Sequence, residues 1–221
     1  MTITPESVAK LLSSEDYGDR LKGLNQLRQV EEAIAFEMIQ PLIVDNNVRI
    51  RYAAASQMAI LGQQDLQKSL QILRDRLFND PETDVKAAAA DALGALKLTE
   101  AFSDLEQVYQ TTEEWLLKLS IVATLGEMGD PRGFDILADA INSETDIVKT
   151  AAISSLGELG DSRGVTLLSP FATNSDWQVR YRVVLALNRL GGPEARSILE
   201  SLAQDEVEQV ATEAKKGLES T

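Results

Sequence analysis

The stretch DIVKTAAISSLGELG at residues 146–160 decides the fold of this chain, because it recurs along the sequence without gaps. WLLKLSIVATLGEMG at residues 115–129 and WQVRYRVVLALNRLG at residues 177–191 align with it position by position. In each copy an apolar anchor precedes a basic residue; the anchors are Leu117, Val148 and Val179. Apolar or small residues follow the anchor at four, five, eight and eleven positions beyond it. At about 100° per residue these positions share one side of a helix, so the repeated unit is helical.

The same anchor recurs through the rest of the chain. It is found at Ile50 and Val85, more weakly at Asp19, and finally at Val210, where Ala211 replaces the basic residue. Successive anchors lie 31, 35, 32, 31, 31 and 31 residues apart. Seven units of this length account for essentially the whole sequence, and the 35-residue step predicts extra length within residues 63–79.

Each unit contains a regular second helix and a shorter first helix, for example residues 133–141 and 193–203. Pro41 and Pro170 fall in first helices and predict a bend or an early end there. A two-helix unit cannot bury its apolar stripe alone, so neighbouring units must stack on one another. The sequence therefore predicts an all-α fold, an α-solenoid of about seven two-helix repeats. We expect one domain over residues 1–221, with a concave groove lined by the second helices.

The composition excludes several classes of function. The 221 residues contain neither Cys nor His, which removes disulfides, thiolate nucleophiles, the usual zinc sites and the imidazole base of most hydrolytic triads. A formal charge of −14 repels phosphate backbones and anionic membrane surfaces, so we expect no nucleic-acid partner. The start of the chain lacks a signal-peptide pattern, and no apolar run approaches the roughly 18 residues of a membrane span. We expect a cytoplasmic protein without membrane insertion.

Two motifs carry a resemblance to a known family. LGELGDSRG at residues 156–164 and LGEMGDPRG at residues 125–133 resemble the repeat of the phycobilisome-lyase-type HEAT proteins. The segment ITPESVAKLLSSEDYGDRLKGLNQLRQ at residues 3–29 is similar to the cyanobacterial members that act in phycobilisome degradation. The resemblance implies HEAT-like repeats that bind phycobiliprotein subunits, phycocyanin or allophycocyanin, and promote detachment of their chromophore. It implies no required cofactor, with a linear tetrapyrrole such as phycocyanobilin as the ligand.

Two other functions stay open at this point. A bilin lyase or isomerase would act on the thioether link of the phycobiliprotein, with Tyr, Asp or Glu side chains in place of the missing Cys and His. A general protein-interaction scaffold would not involve pigment at all. Family members that attach bilins usually work as a pair of different chains, whereas this chain is one short array, which favours the degradation-type role. The resemblance supplies no catalytic residue.

Five of the six Tyr and Trp residues lie two positions from an anchor, which selects a candidate binding face. Offsets of two before and two after the anchor point about 40° apart and roughly opposite the buried stripe. The residues are Tyr17, Trp115 and Trp177 before the anchors and Tyr52 and Tyr181 after them, joined by Leu119 at the same offset. Beside them stand Arg49, Arg51, Arg180 and Arg182. Rings that stack and guanidinium groups that hold carboxylates suit a planar anionic ligand or a protein partner; alternatively, the rings fill seams between repeats.

The basic residue directly after each anchor has a second interpretation. Because it projects near the edge of the apolar stripe, its head group can pair with a carboxylate such as Asp84, Asp146 or Asp176. Arg51 and Arg180 would then belong to a structural series, which leaves ligand contact to Arg49 and Arg182. Small residues nine positions past the anchor, Gly94, Gly126 and Gly157, either open room in the groove or let helices approach closely.

Overall fold

A computed structural model describes residues 3–219, and every regular element in that range is helical. The α-helices are α1 (Pro5–Leu12), α2 (Tyr17–Gln26), α3 (Glu32–Ile39), α4 (Val48–Leu61), α5 (Leu66–Asn79), α6 (Thr83–Ala95), α7 (Phe102–Thr111), α8 (Trp115–Met128), α9 (Phe134–Ala140), α10 (Asp146–Leu159), α11 (Gly164–Leu168), α12 (Trp177–Leu190), α13 (Gly192–Leu202) and α14 (Glu208–Glu219). Short 3-10 helices cover Leu27–Gln29, Gln40–Val44, Gly62–Gln64, Thr99–Ala101, Pro131–Gly133 and Ser169–Thr173. The even-numbered helices are the second helices of seven pairs, which confirms the all-α repeat architecture.

The helix bounds follow the sequence signals closely. The extra length of the 35-residue step lies in α5, which has 14 residues where α9 has 7. Pro41 and Pro170 lie in 3-10 segments directly after α3 and α11, so each proline marks the end of a first helix. Gly160 closes α10 with a φ of +76°, a left-handed conformation that favours glycine.

The chain divides by its internal contacts into two compact units, Met1–Ile121 and Val122–Thr221. In the first unit α2, α4 and α6 stack in sequence, and α5 covers α6. In the second unit α10, α12 and α14 stack in the same way, with α9 and α13 packed against them. The expectation of a single domain stays a prediction.

The anchors form the core of the stacked second helices. Ile50, Val85, Leu117, Val148 and Val210 are buried. Val179 is half-buried, and the polar anchor Asp19 is exposed. The stripe that the periodicity predicted is therefore the one that packs, and in the repeat of Asp19 its anchor position is polar. Across residues 3–219 no helix is both long and apolar enough to cross a bilayer.

Arginines directly after three of the anchors join one repeat to the next. Arg51 donates from Nε and Nη2 to the two carboxylate oxygens of Asp80, at 2.8 and 3.0 Å, and from Nη1 to the carbonyl of Asp45. Arg180 does the same with Asp205, at 2.6 and 2.9 Å, and with the carbonyl of Asn174. Each guanidinium thus binds the loop before its own helix and the loop of the following repeat. These bidentate bonds fix the stagger between neighbouring repeats.

The loop residue that accepts the arginine also organises its own loop. Asp80 accepts the backbone N–H of Glu82, and Asp205 accepts that of Val207. Arg20 and Asp45 form the third pair of this kind, with Nη2 of Arg20 3.1 Å from Oδ1 of Asp45. We call these three sets the junction pairs.

A different combination occupies the remaining junctions of the sequence. Lys86, Lys118 and Lys149 replace the arginine, and the corresponding loop residues are Thr112, Ser143 and Asn174. These uncharged side chains still accept the N–H two residues further on, as Asn174 does from Asp176 at 2.8 Å. The side-chain hydrogen bond that forms the turn is therefore present in all these loops, whereas the loop residue is a carboxylate only where an arginine binds it.

Acid should weaken the folded state through the junction pairs. Hydrogen bonds from Arg180 hold the pKa of Asp205 below its usual value, against the opposing effect of burial. A group with a lowered folded-state pKa contributes fully above its unfolded pKa, about 3.9 for Asp. Its contribution is lost as the pH falls through the lowered folded-state value. We expect the free energy of unfolding, measured by urea titration, to fall between about pH 5 and pH 2.

An Arg180→Met variant tests whether the Arg180–Asp205 pair causes this loss of stability in acid, because Asp205 then lacks the partner that lowers its pKa. This variant should be less stable than the wild type at neutral pH and should lose less stability on acidification. An acid dependence as steep as that of the wild type would contradict the assignment to this pair.

Candidate functional site

The predicted aromatic face is on the surface. Tyr17, Tyr52, Trp115 and Trp177 are 45%, 48%, 50% and 39% exposed, and Tyr181 and Leu119 are half-buried. Each of these four rings therefore has surface that a ligand could contact. Whether they bind a ligand depends on what the structure places around each of them.

A pocket of about 600 Å³ lies between α12 and α14 in the second unit. Trp177, Tyr181 and Leu185 line the α12 side and are spaced four residues apart, so they form one row along the helix. Thr212 and Gln209 are among the polar residues on the α14 side. The pocket thus has an apolar, largely aromatic wall facing a wall of hydrogen-bonding groups, an arrangement typical of small-molecule sites.

The charges in this pocket favour an anionic group at one position. Arg182 lines the pocket and is exposed, and it forms no ion pair with any residue between 3 and 219. Lys216 also lines it, but its Nζ lies 3.2 Å from Oε2 of Glu213. Arg182 is therefore the cation whose charge a ligand carboxylate can meet, while Glu208 and Glu213 place negative charge on the α14 side.

A second, smaller cleft of about 470 Å³ lies in the first unit between α4, α6 and the start of α8. The predicted residues Arg49 and Tyr52 line its α4 wall. Its floor is α6, which contributes Ala87 and Ala88, and Leu116 lines the α8 side. We call it the alanine cleft.

The other predicted residues stand apart from these two pockets. Tyr17 lines a polar pocket at the loops beside α2, with Arg20 and Asn47 among its neighbours. Trp115 and Leu119 are absent from the linings of the pockets described for residues 3–219. The sequence-predicted face therefore splits into Trp177, Tyr181 and Arg182 in one pocket and Arg49 and Tyr52 in another.

Arg51 and Arg180 are not on the exposed face, which corrects their selection as binding residues. Both are buried, and both are held by the junction pairs. The hydrogen bonds that they donate to the carboxylates of Asp80 and Asp205 raise the pKa of each guanidinium. The structural interpretation is confirmed for them, although the suggested acceptors Asp84 and Asp176 are not the ones they use. Asp146 does pair with Lys149, at 3.4 Å.

Gly126 and Gly157, which lie nine positions past their anchors, are at points where two helices approach closely. A Cβ on Gly126 would lie 2.7 Å from Cα of Ser155, and a Cβ on Gly157 would lie 2.5 Å from Cα of Ala186. Both glycines are buried in helix-to-helix contacts. They do not open room in a groove.

Sequence reasoning missed one wall of each pocket. On α14 it missed Thr212, and on α6 it missed Ala87, although both lie two positions past an anchor, at the offset of Tyr181 and Tyr52. Following that offset through every repeat regardless of residue type would have found both.

The repeats define the class of protein. The family model for HEAT repeats matches residues 70–157 and 140–219, which together make up more than half of the chain. The chain belongs to the HEAT-repeat family.

Individual relatives narrow the resemblance. The phycocyanin operon protein Z of Pseudanabaena tenuis is 28% identical over 146 residues, which cover 61% of this chain and 68% of the relative. A chain in the complex of CpcE and CpcF of phycocyanin lyase from Nostoc sp. PCC7120 has 20% identity and a TM-score of 0.66, covering 100% of this chain and 95% of that one. An archaeal HEAT-like repeats protein from Thermococcus onnurineus NA1 has 14% identity and a TM-score of 0.58, covering 99% and 97%. The resemblance to phycobilisome-lyase-type HEAT proteins is thereby confirmed.

Proposed function

We propose that this chain binds phycobiliproteins and their linear tetrapyrrole, and that it acts in phycobilisome degradation by promoting detachment of the chromophore. The observation that carries the proposal is the pocket between α12 and α14, where an aromatic row stands beside a cation without an ion-pair partner among residues 3–219. The relative named for a phycocyanin operon supports the phycobiliprotein part of the proposal.

The pocket suits an extended conjugated ligand that carries carboxylates. Trp177 and Tyr181 offer ring faces one helical turn apart, on which pyrrole rings can stack. Arg182 lies on the adjoining face of α12 and can hold a propionate carboxylate in a two-pronged hydrogen bond. Thr212 and Gln209 face them with donors and acceptors for the polar edge of the ligand. A volume of about 600 Å³ lies within the range of small-molecule sites.

The chain is better equipped to capture pigment than to break a bond by nucleophilic attack. It contains no Cys and no His, so the side chains that most often attack carbon or relay protons are missing. Stacking and charge pairing instead stabilise the pigment outside its protein. In the detachment itself the thioether C–S bond breaks by the reverse of thiol addition: the sulfur stays on the phycobiliprotein Cys and takes up the proton that the bilin releases as its double bond re-forms. Under this proposal the chain binds the freed bilin, shifts this equilibrium toward the detached chromophore and works in proportion to its own amount.

The first test is a titration of the chain with free phycocyanobilin, followed by visible absorbance and fluorescence. We expect saturable binding with a spectral shift. Trp177→Ala should weaken binding about tenfold or more, because a central Trp contributes about 2 kcal/mol or more at binding hot spots. Arg182→Ala should weaken it by a similar factor.

Trp115→Ala is the matched control, since Trp115 is a tryptophan of comparable exposure at the same repeat offset but outside the pocket. It should bind as the wild type does. Equal weakening in both tryptophan variants, or none in Trp177→Ala, would remove the site from this pocket.

Mixing the chain with intact phycocyanin tests detachment. Loss of the native visible band that stops at one equivalent of chain supports capture. Conversion of excess phycocyanin by a small amount of chain would instead support a lyase-type enzyme. No spectral change with either phycocyanin or free bilin would overturn the pigment role in favour of a general scaffold.

A further inference from the structure

The floor of the alanine cleft shows a regular pattern along α6. Asp84, Ala87, Ala88 and Asp91 all line the cleft and occur at positions i, i+3, i+4 and i+7. This spacing places the four residues in one stripe on one face of the helix. The two carboxylates therefore mark the ends of the stripe, about 10.5 Å apart along the axis at 1.5 Å per residue, with the small residues between them.

The alanines make room that larger side chains take in other repeats. The position of Ala87 is held by Tyr52 in α4 and by Tyr181 in α12. Ala87 and Ala88 are 5% and 3% exposed, so the floor is deep, while Tyr52 on the α4 wall rises to 48% exposure. With Val48 and Leu116 on the walls, the cleft can bury one or two large apolar side chains.

The charges of the lining indicate which charged groups a bound partner would carry beside its apolar side chains. The lining contains two carboxylates, those of Asp84 and Asp91, and one guanidinium, that of Arg49 on the α4 wall. Asp84 is exposed and forms no ion pair with the residues described between 3 and 219. An occupant with cations at both ends of an apolar centre would match this lining, and the whole chain, at −14, draws basic partners toward it.

We propose that the alanine cleft docks an amphipathic helix of a partner protein that presents Lys or Arg at i and i+7 around large apolar residues at i+3 and i+4. The pattern of the partner mirrors that of α6, so a helix aligned along α6 sets its basic groups over Asp84 and Asp91. Its apolar side chains enter the space above Ala87 and Ala88. The small floor lets the two helix axes come within about 8–10 Å. This is recognition of a helix in a groove, and it goes beyond pigment binding.

The probe is a fluorescein-labelled helical peptide of about 20 residues, with Ala and Gln as its background. It carries Arg at i and i+7 and Leu at i+3 and i+4; a matched peptide carries Glu in place of both Arg. Anisotropy at low salt should show saturable binding of the Arg peptide with a Kd of about 50 μM, and at least tenfold weaker binding of the Glu peptide.

Two variants of the chain test the cleft. Asp84→Asn combined with Asp91→Asn should weaken binding of the Arg peptide about tenfold, and Ala87→Phe should abolish it by filling the floor. The control combines Asp135→Asn with Glu144→Gln, which removes two exposed carboxylates of the other unit and should leave binding unchanged. Circular dichroism verifies that every variant is folded.

Several outcomes would overturn the proposal. These are no binding of the Arg peptide, equal binding of both peptides, or equal effects of the cleft and control variants. Self-association of the chain that Ala87→Phe abolishes, measured by sedimentation, would assign the cleft to a second copy and overturn it as well. The peptide assay contains no pigment, so absence of peptide binding would not contradict the bilin proposal. In the same way, absence of bilin binding would not contradict docking of a helix in the alanine cleft.

Discussion

Replacing Asp80 with Ala is expected to lower the free energy of unfolding by about 3–5 kcal/mol, the cost of removing one partner from a buried ion pair. The Asp80 side chain is fully buried and accepts two hydrogen bonds from Arg51 and one from the N–H of Glu82. Burial alone would raise the pKa of Asp80, but these bonds, together with the charges of Arg51 and Arg76, hold it below its usual value. The Ala variant leaves the buried Arg51 guanidinium without its carboxylate. Urea denaturation followed by circular dichroism measures the loss.

Asp75→Ala is the matched control for this experiment. Asp75 pairs with Arg76, as Asp80 does, but its side chain is about half exposed. Water screens such a pair, so its removal should cost less than about 1 kcal/mol. Replacing Arg51 and Asp80 together with Met and Leu should cost less than removing Asp80 alone, since no unpaired charge stays buried. A loss for Asp80→Ala no greater than that for Asp75→Ala would show that the junction pair does not hold the repeats together.

Gly157→Ala is expected to destabilise the chain by about 1–3 kcal/mol, the usual cost of overpacking a core. The added Cβ would lie 2.5 Å from Cα and 2.7 Å from Cβ of Ala186, so the backbones of α10 and α12 must move apart. The direction of this change in stability is informative, because replacing Gly with Ala in an isolated helix is stabilising by about 1 kcal/mol. Thermal or urea unfolding gives the difference directly.

Gly164→Ala provides the comparison for that result. Its added Cβ would lie 3.3 Å from Cδ1 of Leu190, the end of a side chain that can turn away. This variant should stay within about 0.5 kcal/mol of the wild type. If Gly157→Ala proves equally harmless, the close approach of α10 and α12 is not needed for stability.

The architecture could be predicted from the sequence because the same helical pattern of apolar residues recurs in each repeat. Five of the seven anchors are buried apolar residues, and the one longer step falls in α5, as its position in the sequence indicates. A periodic stripe fixes which side of a helix packs, and that information is local. Exposure of Trp177 and Tyr52 followed from the same local geometry.

The contacts of the basic residues could not be predicted in the same way. Arg51 reaches Asp80, 29 residues away, and Arg180 reaches Asp205, 25 residues away. These partners meet only through the path of a loop and the stagger of two repeats, which helical periodicity does not encode. The pocket walls were missed for a related reason: Thr212 and Ala87 look unremarkable in sequence and matter only because of the side chains that face them.

The junction pairs also limit how the chain can be rearranged. An arginine after the anchor always precedes a loop with Asp, and a lysine always precedes a loop with Thr, Ser or Asn. Repeats of nearly equal length are therefore not interchangeable parts. Moving the repeat of Arg51 in front of the loop of Thr112 would bury a cation without an anion, and moving the repeat of Lys86 in front of Asp80 would lose the two-pronged bond. The residue after the anchor and the residue in the following loop must match, and this requirement restricts the order in which the repeats can follow one another.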